Sequence, residues 1–216
     1  MPSIEITPIS ESALACTLPP PAELGKQRCL WAFADAAAAL PDVLETVTGM
    51  NNLTVFALPG GDLAALSDGL ADLWQRTEAT AHQGRHVEIA VCYGGAFGED
   101  LAEVAAFHRT TPAEIVRRHT APLYTVFMMG FQPGFPYLGG LPENLHTPRR
   151  AVPRTHVPAG SVGIGGSQTG VYPFASPGGW QIIGRTDTPL FQTASYPPTL
   201  LLAGDTVRFV AAEVRL

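Results

Sequence analysis

The sequence of 216 residues contains a single lysine, Lys26, and three scattered cysteines, and no apolar run is long enough to span a membrane. One isolated lysine excludes the usual phosphate-binding loop of ATPases, which needs G-x-x-x-x-G-K-[ST]. It also excludes the serine–lysine machinery of amidase-signature enzymes, and no serine lies in G-x-S-x-G. Cys16, Cys29 and Cys92 provide neither an even disulfide framework nor zinc-ligand spacing, so we expect no metal.

Charge is also sparse and mostly negative. Charged residues make up 15% of the chain, and 19 Asp and Glu outnumber 13 Lys and Arg, giving a formal net charge of −6. Because nucleic-acid binding usually needs a basic surface, no nucleic-acid partner is expected. The opening residues, MPSIEITPIS, lack the positive and apolar regions of a secretory signal. Together with the scattered cysteines, this predicts a cytoplasmic protein with no membrane partner.

Residues 1–84 are predicted to form a small α/β domain. An alanine-rich segment favours a helix that ends before Pro41, and Asp62 is a suitable N-cap for a second helix. The predicted elements are a strand at 12–18, a helix at 22–40, strands at 43–48 and 53–58, and a helix at 62–78. Strand, helix, two strands and helix is an order typical of a ferredoxin-like sandwich.

Residues 85–216 are predicted to form a β-barrel that carries two short helices. Thr111, followed by Pro112 and Glu114, has the pattern of a helix N-terminus. The predicted elements are a strand at 86–93, helices at 99–108 and 111–119, and strands at 124–129, 161–164, 181–184 and 206–210. Long Gly/Pro loops between strands suit a barrel better than a layered domain, so the fold class is α+β.

The segment 130–185 concentrates glycine, proline and arginine in this acidic chain. It holds 12 of the 22 glycines, 8 of the 20 prolines and four arginines, but one acid, Glu143. Glycine lets the backbone approach a ligand, and arginine grips carboxylate or phosphate in a planar fork. We therefore predict a site for a small anion that uses Arg149, Arg154 and Arg185. The alternatives are a solvated loop and, for Arg185, an arginine bonded to backbone carbonyls.

Other polar groups of this segment are candidates for the same site. Gln168 and Tyr172 offer an amide and a phenol that could orient a bound anion. The backbone N–H groups near Gly178 and Gly179 could stabilise developing negative charge, as such nests do. A rigid turn that anchors a neighbouring tryptophan is the equally plain alternative.

Two aromatic residues and one histidine complete the candidate set. Phe135 and Tyr137 lie among glycines and prolines, where they could line a pocket mouth or a partner interface, although core packing is the commoner fate. His119 ends a predicted helix. It would either stabilise the helix C-terminus as a cation or transfer a proton in a cleft.

Several collinear motifs of this chain resemble the signatures of one bacterial family. The central and most specific motif is G-F-x-P-G-F-P-Y-L-G-G-L at 130–141. The others are Pro148-Arg149-Arg150, Pro153-Arg154, V-P-A-G-S-V at 157–162, Q-T-G-V-Y-P at 168–173, S-P-G-G-W at 176–180, G-R-T at 184–186 and, more weakly, Gly98-x-Asp100-Leu101. The family is that of the 5-oxoprolinase B subunit, also labelled allophanate hydrolase subunit 1 or sporulation-kinase inhibitor.

The resemblance, which extends over nearly the whole chain, implies both a fold and a set of partners. It implies a small α/β domain followed by a cyclophilin-like β-barrel. It also implies a sister subunit that resembles the other half of a biotin-dependent carboxyltransferase, and a third protein that completes 5-oxoprolinase. That enzyme opens the 5-oxoproline lactam to glutamate at the expense of ATP. Because this chain lacks a phosphate loop, ATP is expected to act at the level of the complex, and the chain alone is expected to be inactive.

The resemblance and the arginine segment together suggest a mechanism and two rivals. The arginines would hold the anionic substrate or a phosphorylated intermediate, with Arg154 and Gln168 at the reacting group and His119 as a proton donor. One rival function is a binding module that inhibits a histidine kinase. The other is an amide-hydrolase subunit of the allophanate pathway, against which the missing serine–lysine chemistry counts.

Overall fold

The computed structural model describes residues 2–79 and 84–216. The sequence also predicts a linker at 79–85, with Gly84, and most of it lies outside the described residues. The chain forms two compact units, divided between residues 82 and 83. No helix in the described ranges is long and apolar enough to cross a membrane.

The first unit is a four-stranded antiparallel sheet with two helices. Its elements are β1 (Glu5–Ser10), β2 (Ala13–Thr17), α1 (Leu24–Ala38), β3 (Val43–Thr48), β4 (Asn52–Ala57) and α2 (Leu63–Arg76). The strand order is β1-β2-β4-β3, so β4 lies between the two strands that flank α1. This split β-α-β unit is the arrangement of the predicted ferredoxin-like sandwich.

Strand β1 is absent from the prediction, and its exposure explains why. Five of its six residues are exposed, so the strand lacks the alternation of buried and exposed side chains that marks a strand in sequence. Its position at the sheet edge also tolerates Pro8, which cannot donate a ladder hydrogen bond.

The core of the first unit forms where the helices meet the sheet. Asp62 caps α2 as predicted, since its carboxylate accepts hydrogen bonds from the N–H groups of Ala64 and Ala65 at 2.9 and 3.1 Å. The helix buries Leu66, Leu70 and Trp74. The Trp74 ring packs edge-to-face on Phe33, with 5.2 Å between centroids.

The second unit is a closed seven-stranded barrel with two helices and a separate two-stranded ribbon. Its strands are β5 (His86–Gly94), β6 (Tyr124–Met129), β7 (Pro136–Gly139), β8 (Arg154–Val157), β9 (Ser161–Gly165), β10 (Gln168–Val171), β11 (Ser176–Gly178), β12 (Gln181–Arg185) and β13 (Thr206–Arg215). Its helices are α3 (Leu101–Phe107) and α4 (Pro112–Thr120), with 3-10 turns at Gly95–Phe97 and Glu143–Leu145. The barrel order is β10-β7-β6-β13-β5-β12-β9, and β8 pairs with β11. The α+β class and the barrel are confirmed.

Four short strands, β7, β8, β10 and β11, were missed. Glycine or proline interrupts β7, β10 and β11, whereas β8 has only four residues, of which one is buried. Glycine in the barrel has a packing role that β9 illustrates. Val162 and Ile164 belong to the barrel core, so Gly163 and Gly165 take the alternate, outward positions. A Cβ added at Gly165 would lie 2.5 Å from Nε1 of Trp180, so glycine is what allows this indole to lie flat on the strand.

We therefore expect Gly165→Ala to lower the unfolding free energy of the barrel by about 1–3 kcal/mol, the usual cost of overpacking. Gly179→Ala is the matched control. Its added Cβ would lie 3.6 Å from Pro153, an ordinary contact, and the cost should stay below about 1 kcal/mol. Chemical denaturation of the barrel transition measures both, and equal costs would contradict the packing argument.

Candidate functional site

The arginine segment is organised by one buried carboxylate, that of Asp100 at the N-cap of α3, which is 2% exposed. Arg150 donates to it from Nη1 at 2.8 Å, and Arg154 donates from Nη1 and Nη2 at 2.8 and 2.7 Å. The backbone N–H of Ile182 in β12 adds a fourth hydrogen bond at 2.6 Å. A buried charge is tolerated only when it is paired in this way. Asp100 therefore holds residues 148–154, the arginine loop, against the barrel.

This pairing corrects the premise that the arginines lack acidic partners. The acidic partners come from outside the segment. Asp100 pairs with Arg150 and Arg154, and Glu99 contacts Arg154 at 3.3 Å. The hydrogen bonds that Arg154 donates to Asp100 raise the pKa of Arg154. Asp100 lies 54 positions before Arg154, so spacing within the segment could not reveal it, and only the motif Gly98-x-Asp100-Leu101 marked it in the sequence. Arg154 is therefore held by a carboxylate before any ligand binds.

Arg154 and Arg185 do come together, in a cavity of about 220 Å³ that His156 and Ser161 also line. Within the described part of the chain, no carboxylate lies within 4 Å of Arg185. Its Nε is buried and has no hydrogen-bond partner. The predicted bonding of Arg185 to backbone carbonyls is therefore not observed among the described residues, and its charge is available to a ligand.

Arg149 lies elsewhere, in a second cavity of about 480 Å³ that Arg150 and Gln181 also line. Its guanidinium stands 5.9 Å from the ring centroid of Trp180. The single predicted anion site is thus divided, with Arg185 in the smaller cavity and Arg149 in the larger one.

The predicted aromatic residues form a cluster around Trp180. Phe135 is only 2% exposed, so core packing describes it better than a pocket mouth. Tyr172, whose phenol was predicted to orient an anion, is also only 2% exposed and packs in the same cluster. Burial raises the pKa of Tyr137 and of Tyr172, and the positive charge of Arg149 opposes both shifts. Tyr137 is half-buried beside the cluster.

Gln168, and the glycines of the predicted backbone N–H site, Gly178 and Gly179, also lie near this cluster rather than in the smaller cavity. Gln168 shares one face of β10 with Gly170, where an added Cβ would lie 3.2 Å from the Trp180 ring. A Cβ at Gly178 would lie 2.5 Å from the Tyr172 hydroxyl oxygen. The carbonyl of Gly179 accepts a hydrogen bond from the Arg150 N–H at 2.7 Å, which fixes the turn against the arginine loop.

His119 occupies the barrel core, which corrects both sequence-based interpretations of this residue. It is fully buried, and burial lowers its pKa to about 3, so the imidazole is neutral at pH 7. Its Nε2 contacts Thr169 Oγ1 at 2.9 Å, and its Nδ1 contacts the Tyr93 hydroxyl at 2.8 Å. Thr169 donates its own proton to the Gly163 carbonyl, so the network assigns N–H to Nε2. The side chain is neither a cationic helix cap nor a proton donor in a cleft.

The described residues contain no group of three His, Cys, Asp or Glu side chains that could hold a metal ion.

Comparison with known proteins identifies the class to which this fold and site belong. A family model described as carboxyltransferase domain, subdomain C and D, matches residues 4–201. Proteins named as the B subunit of 5-oxoprolinase, from Haemophilus influenzae and Escherichia coli O157:H7, are 59% and 51% identical to this chain. The alignments cover 99% and 94% of this chain, and 100% and 93% of those relatives. The chain belongs to the family of the 5-oxoprolinase B subunit.

Solved structures extend the comparison to one protein of similar length and to two larger ones. TTHA0988 matches with a TM-score of 0.78 and 35% identity over 93% of this chain, which spans only 40% of that chain. PH0987 from Pyrococcus horikoshii matches with a TM-score of 0.59 and 36% identity over 97% of this chain and 98% of its own. The urea amidolyase of K. lactis reaches a TM-score of 0.82 over 98% of this chain and 15% of its own, but at 16% identity it shares the fold alone.

The buried carboxylate provides the first test of the site. Asp100→Asn removes the carboxylate charge that pairs with two guanidinium groups and should lower the unfolding free energy of the barrel by about 3–5 kcal/mol. Glu99 is 64% exposed and also contacts Arg154, so Glu99→Gln is the matched control and should cost less than about 1 kcal/mol. Denaturant titration compares the two, and a similar small loss in both would show that Asp100 does not organise the loop.

His119 provides a test in pH. Its pKa is about 3 in the folded protein, whereas an unfolded histidine has a pKa near 6.5. Only the unfolded state therefore gains this proton between these values, so the contribution of His119 is complete above pH 6.5 and falls as pH drops towards 3. His119→Gln should reduce the pH slope of the unfolding free energy by up to about 1.4 kcal/mol per pH unit. An unchanged slope in His119→Gln would contradict the neutral, buried state.

Proposed function

We propose that this chain is one subunit of an ATP-dependent 5-oxoprolinase and acts with a carboxyltransferase-like sister subunit and a third subunit. The proposal is supported by the 59% identity to a protein named as the B subunit of 5-oxoprolinase, over that protein's full length. A name of this kind implies further subunits, and we propose that this chain is inactive alone.

The observation that carries the local part of the proposal is the uncompensated charge of Arg185. The substrate is a carboxylate, and ATP-driven opening of a lactam is expected to pass through a phosphorylated amide, so each species is an anion. Arg185 lines the 220 Å³ cavity without a carboxylate partner among the described residues. Arg154 faces the same cavity but is already paired with Asp100. Arg185 would bind the anion, and Arg154, held in a fixed orientation, would assist it.

The chemistry of this chain points to anion binding rather than to nucleotide activation. Lys26 Nζ donates to the carbonyls of Pro19 and Pro21 at 3.0 and 2.9 Å, so the single lysine is occupied far from the arginine segment in sequence. We therefore assign ATP to the assembled complex. The three cysteines, all free, support the proposed cytoplasmic, reducing setting.

The test is ATP-dependent release of glutamate from 5-oxoproline by the reconstituted complex. Arg185→Gln should lower kcat/KM by about 10- to 100-fold, as expected from loss of a charged hydrogen bond worth about 1.5–3 kcal/mol. Arg154 is a poorer target because its removal also disrupts the Asp100 pair.

The control is Arg208→Gln, which neutralises an exposed arginine of β13 that lines neither cavity. It should keep wild-type turnover. An assembled complex that hydrolyses ATP but releases no glutamate would contradict the proposed function, and full activity in Arg185→Gln would remove this residue from the site.

A further inference from the structure

The larger cavity has the size and lining of a small-molecule site. Its volume of about 480 Å³ falls within the range of about 300–1,000 Å³ that is usual for ligand pockets. Its walls include Val104, Phe107 and Val152, of which Phe107 is 56% and Val152 is 77% exposed. These side chains give the cavity an apolar surface that an apolar ligand body could cover.

Two buried polar atoms on this lining lack partners. They are Nε of Arg150, a donor, and Oε1 of Gln181, an acceptor. The orientation of the Gln181 amide is fixed, because its Nε2 donates to the carbonyl of Pro148 at 3.0 Å and a carbonyl can only accept. A buried polar atom without a partner is costly, so each atom indicates a missing group. The missing groups are one acceptor and one donor.

The charges on the lining leave one cation free. Arg150 is compensated by Asp100 at 2.8 Å and faces Glu103 at 3.8 Å. Arg149 has no carboxylate within 4 Å among the residues described. Its guanidinium is positioned by the face of Trp180, an arrangement that leaves its N–H groups free to bind an anion.

From these observations we propose that the larger cavity is a separate binding site for a small carboxylate monoanion with an apolar body and one hydrogen-bond donor. Arg149 binds the carboxylate, and Nε of Arg150 donates to the same anion. Gln181 Oε1 accepts the ligand's donor, and Phe107 and Val152 cover its hydrocarbon portion. A lactam or other cyclic N–H carboxylate meets all three requirements. The choice of 5-oxoproline as a probe rests on the proposed function, but the site itself does not.

Binding to the isolated full chain tests the proposal without any turnover. Titration calorimetry measures the binding of three probes: 5-oxoproline, inorganic phosphate, and cyclopentanecarboxylate, which keeps a five-membered ring and the carboxylate but lacks the lactam N–H and C=O. We expect 5-oxoproline to bind about tenfold more tightly than cyclopentanecarboxylate, because the latter leaves Gln181 Oε1 without a partner. Phosphate, a polar anion without an apolar body, should bind most weakly in this cavity.

Three variants locate the ligand. Arg149→Gln should weaken binding of both carboxylates by about tenfold or more, since it removes a charged hydrogen bond. Gln181→Leu should abolish the preference for 5-oxoproline over cyclopentanecarboxylate, which is the result expected of a double-mutant cycle on one hydrogen bond. Arg208→Gln, which lies in neither cavity, should leave both affinities unchanged. Unchanged melting temperatures in all three variants exclude misfolding as the cause.

The outcomes separate this site from the proposed function. The second site would be overturned if neither carboxylate bound at millimolar concentration. It would also be overturned by binding that Arg185→Gln abolishes and Arg149→Gln does not. The expected pattern in a chain whose assembled complex releases no glutamate would support the second site and contradict the proposed function.

Discussion

The second unit depends on the carboxylate of Asp100, which holds together parts of the chain that are distant in sequence. Its four hydrogen bonds join the start of α3, the arginine loop and β12. Because the carboxylate is 2% exposed, these bonds replace all of its contact with water. The arginine loop contains few hydrophobic residues of its own, so its conformation depends on this charge more than on burial of apolar surface. Both cavities are bounded by an arginine that Asp100 positions, Arg154 in the smaller cavity and Arg150 in the larger one.

The same carboxylate decides which arginines remain available. In sequence, four cations stand together with one acid, and all appear equally suited to bind an anion. In the structure, Asp100 compensates Arg150 and Arg154, whereas Arg149 and Arg185 keep their charges without a carboxylate partner among the described residues. The proposed anion sites are the places where the remaining two arginines, Arg149 and Arg185, lie. They are defined by the cations that the fold leaves unpaired rather than by the number of arginines in the segment.

Sequence patterns predicted the helices and strands whose apolar residues recur at a regular spacing, and they missed the short strands that lack such a spacing. Strand β6 was predicted with both ends correct, and Asp62 and Thr111 mark helix starts as expected. The short strands were missed because glycine and proline interrupt β7, β10 and β11. Gly170 of β10, for example, makes room for the Trp180 ring, which lies outside that strand. His119 shows the limit most clearly. Its position at the end of α4 suggested a cation, whereas the barrel around it, built from β5, β10 and β13, lowers its pKa to about 3.

The fold itself says little about which chemistry the chain performs. The urea amidolyase of K. lactis shares the architecture at 16% identity, and such a likeness does not transfer a reaction. What distinguishes chains of one architecture is the small set of polar atoms that folding leaves unsatisfied. Here these include Nε of Arg150, Nε of Arg185 and Oε1 of Gln181, and all three residues line a cavity. A protein that only needed a stable barrel would gain by pairing or replacing these atoms, because each costs free energy. We propose that ligands supply the missing partners, because each of these residues lines a cavity that also holds an arginine without a carboxylate partner among the described residues.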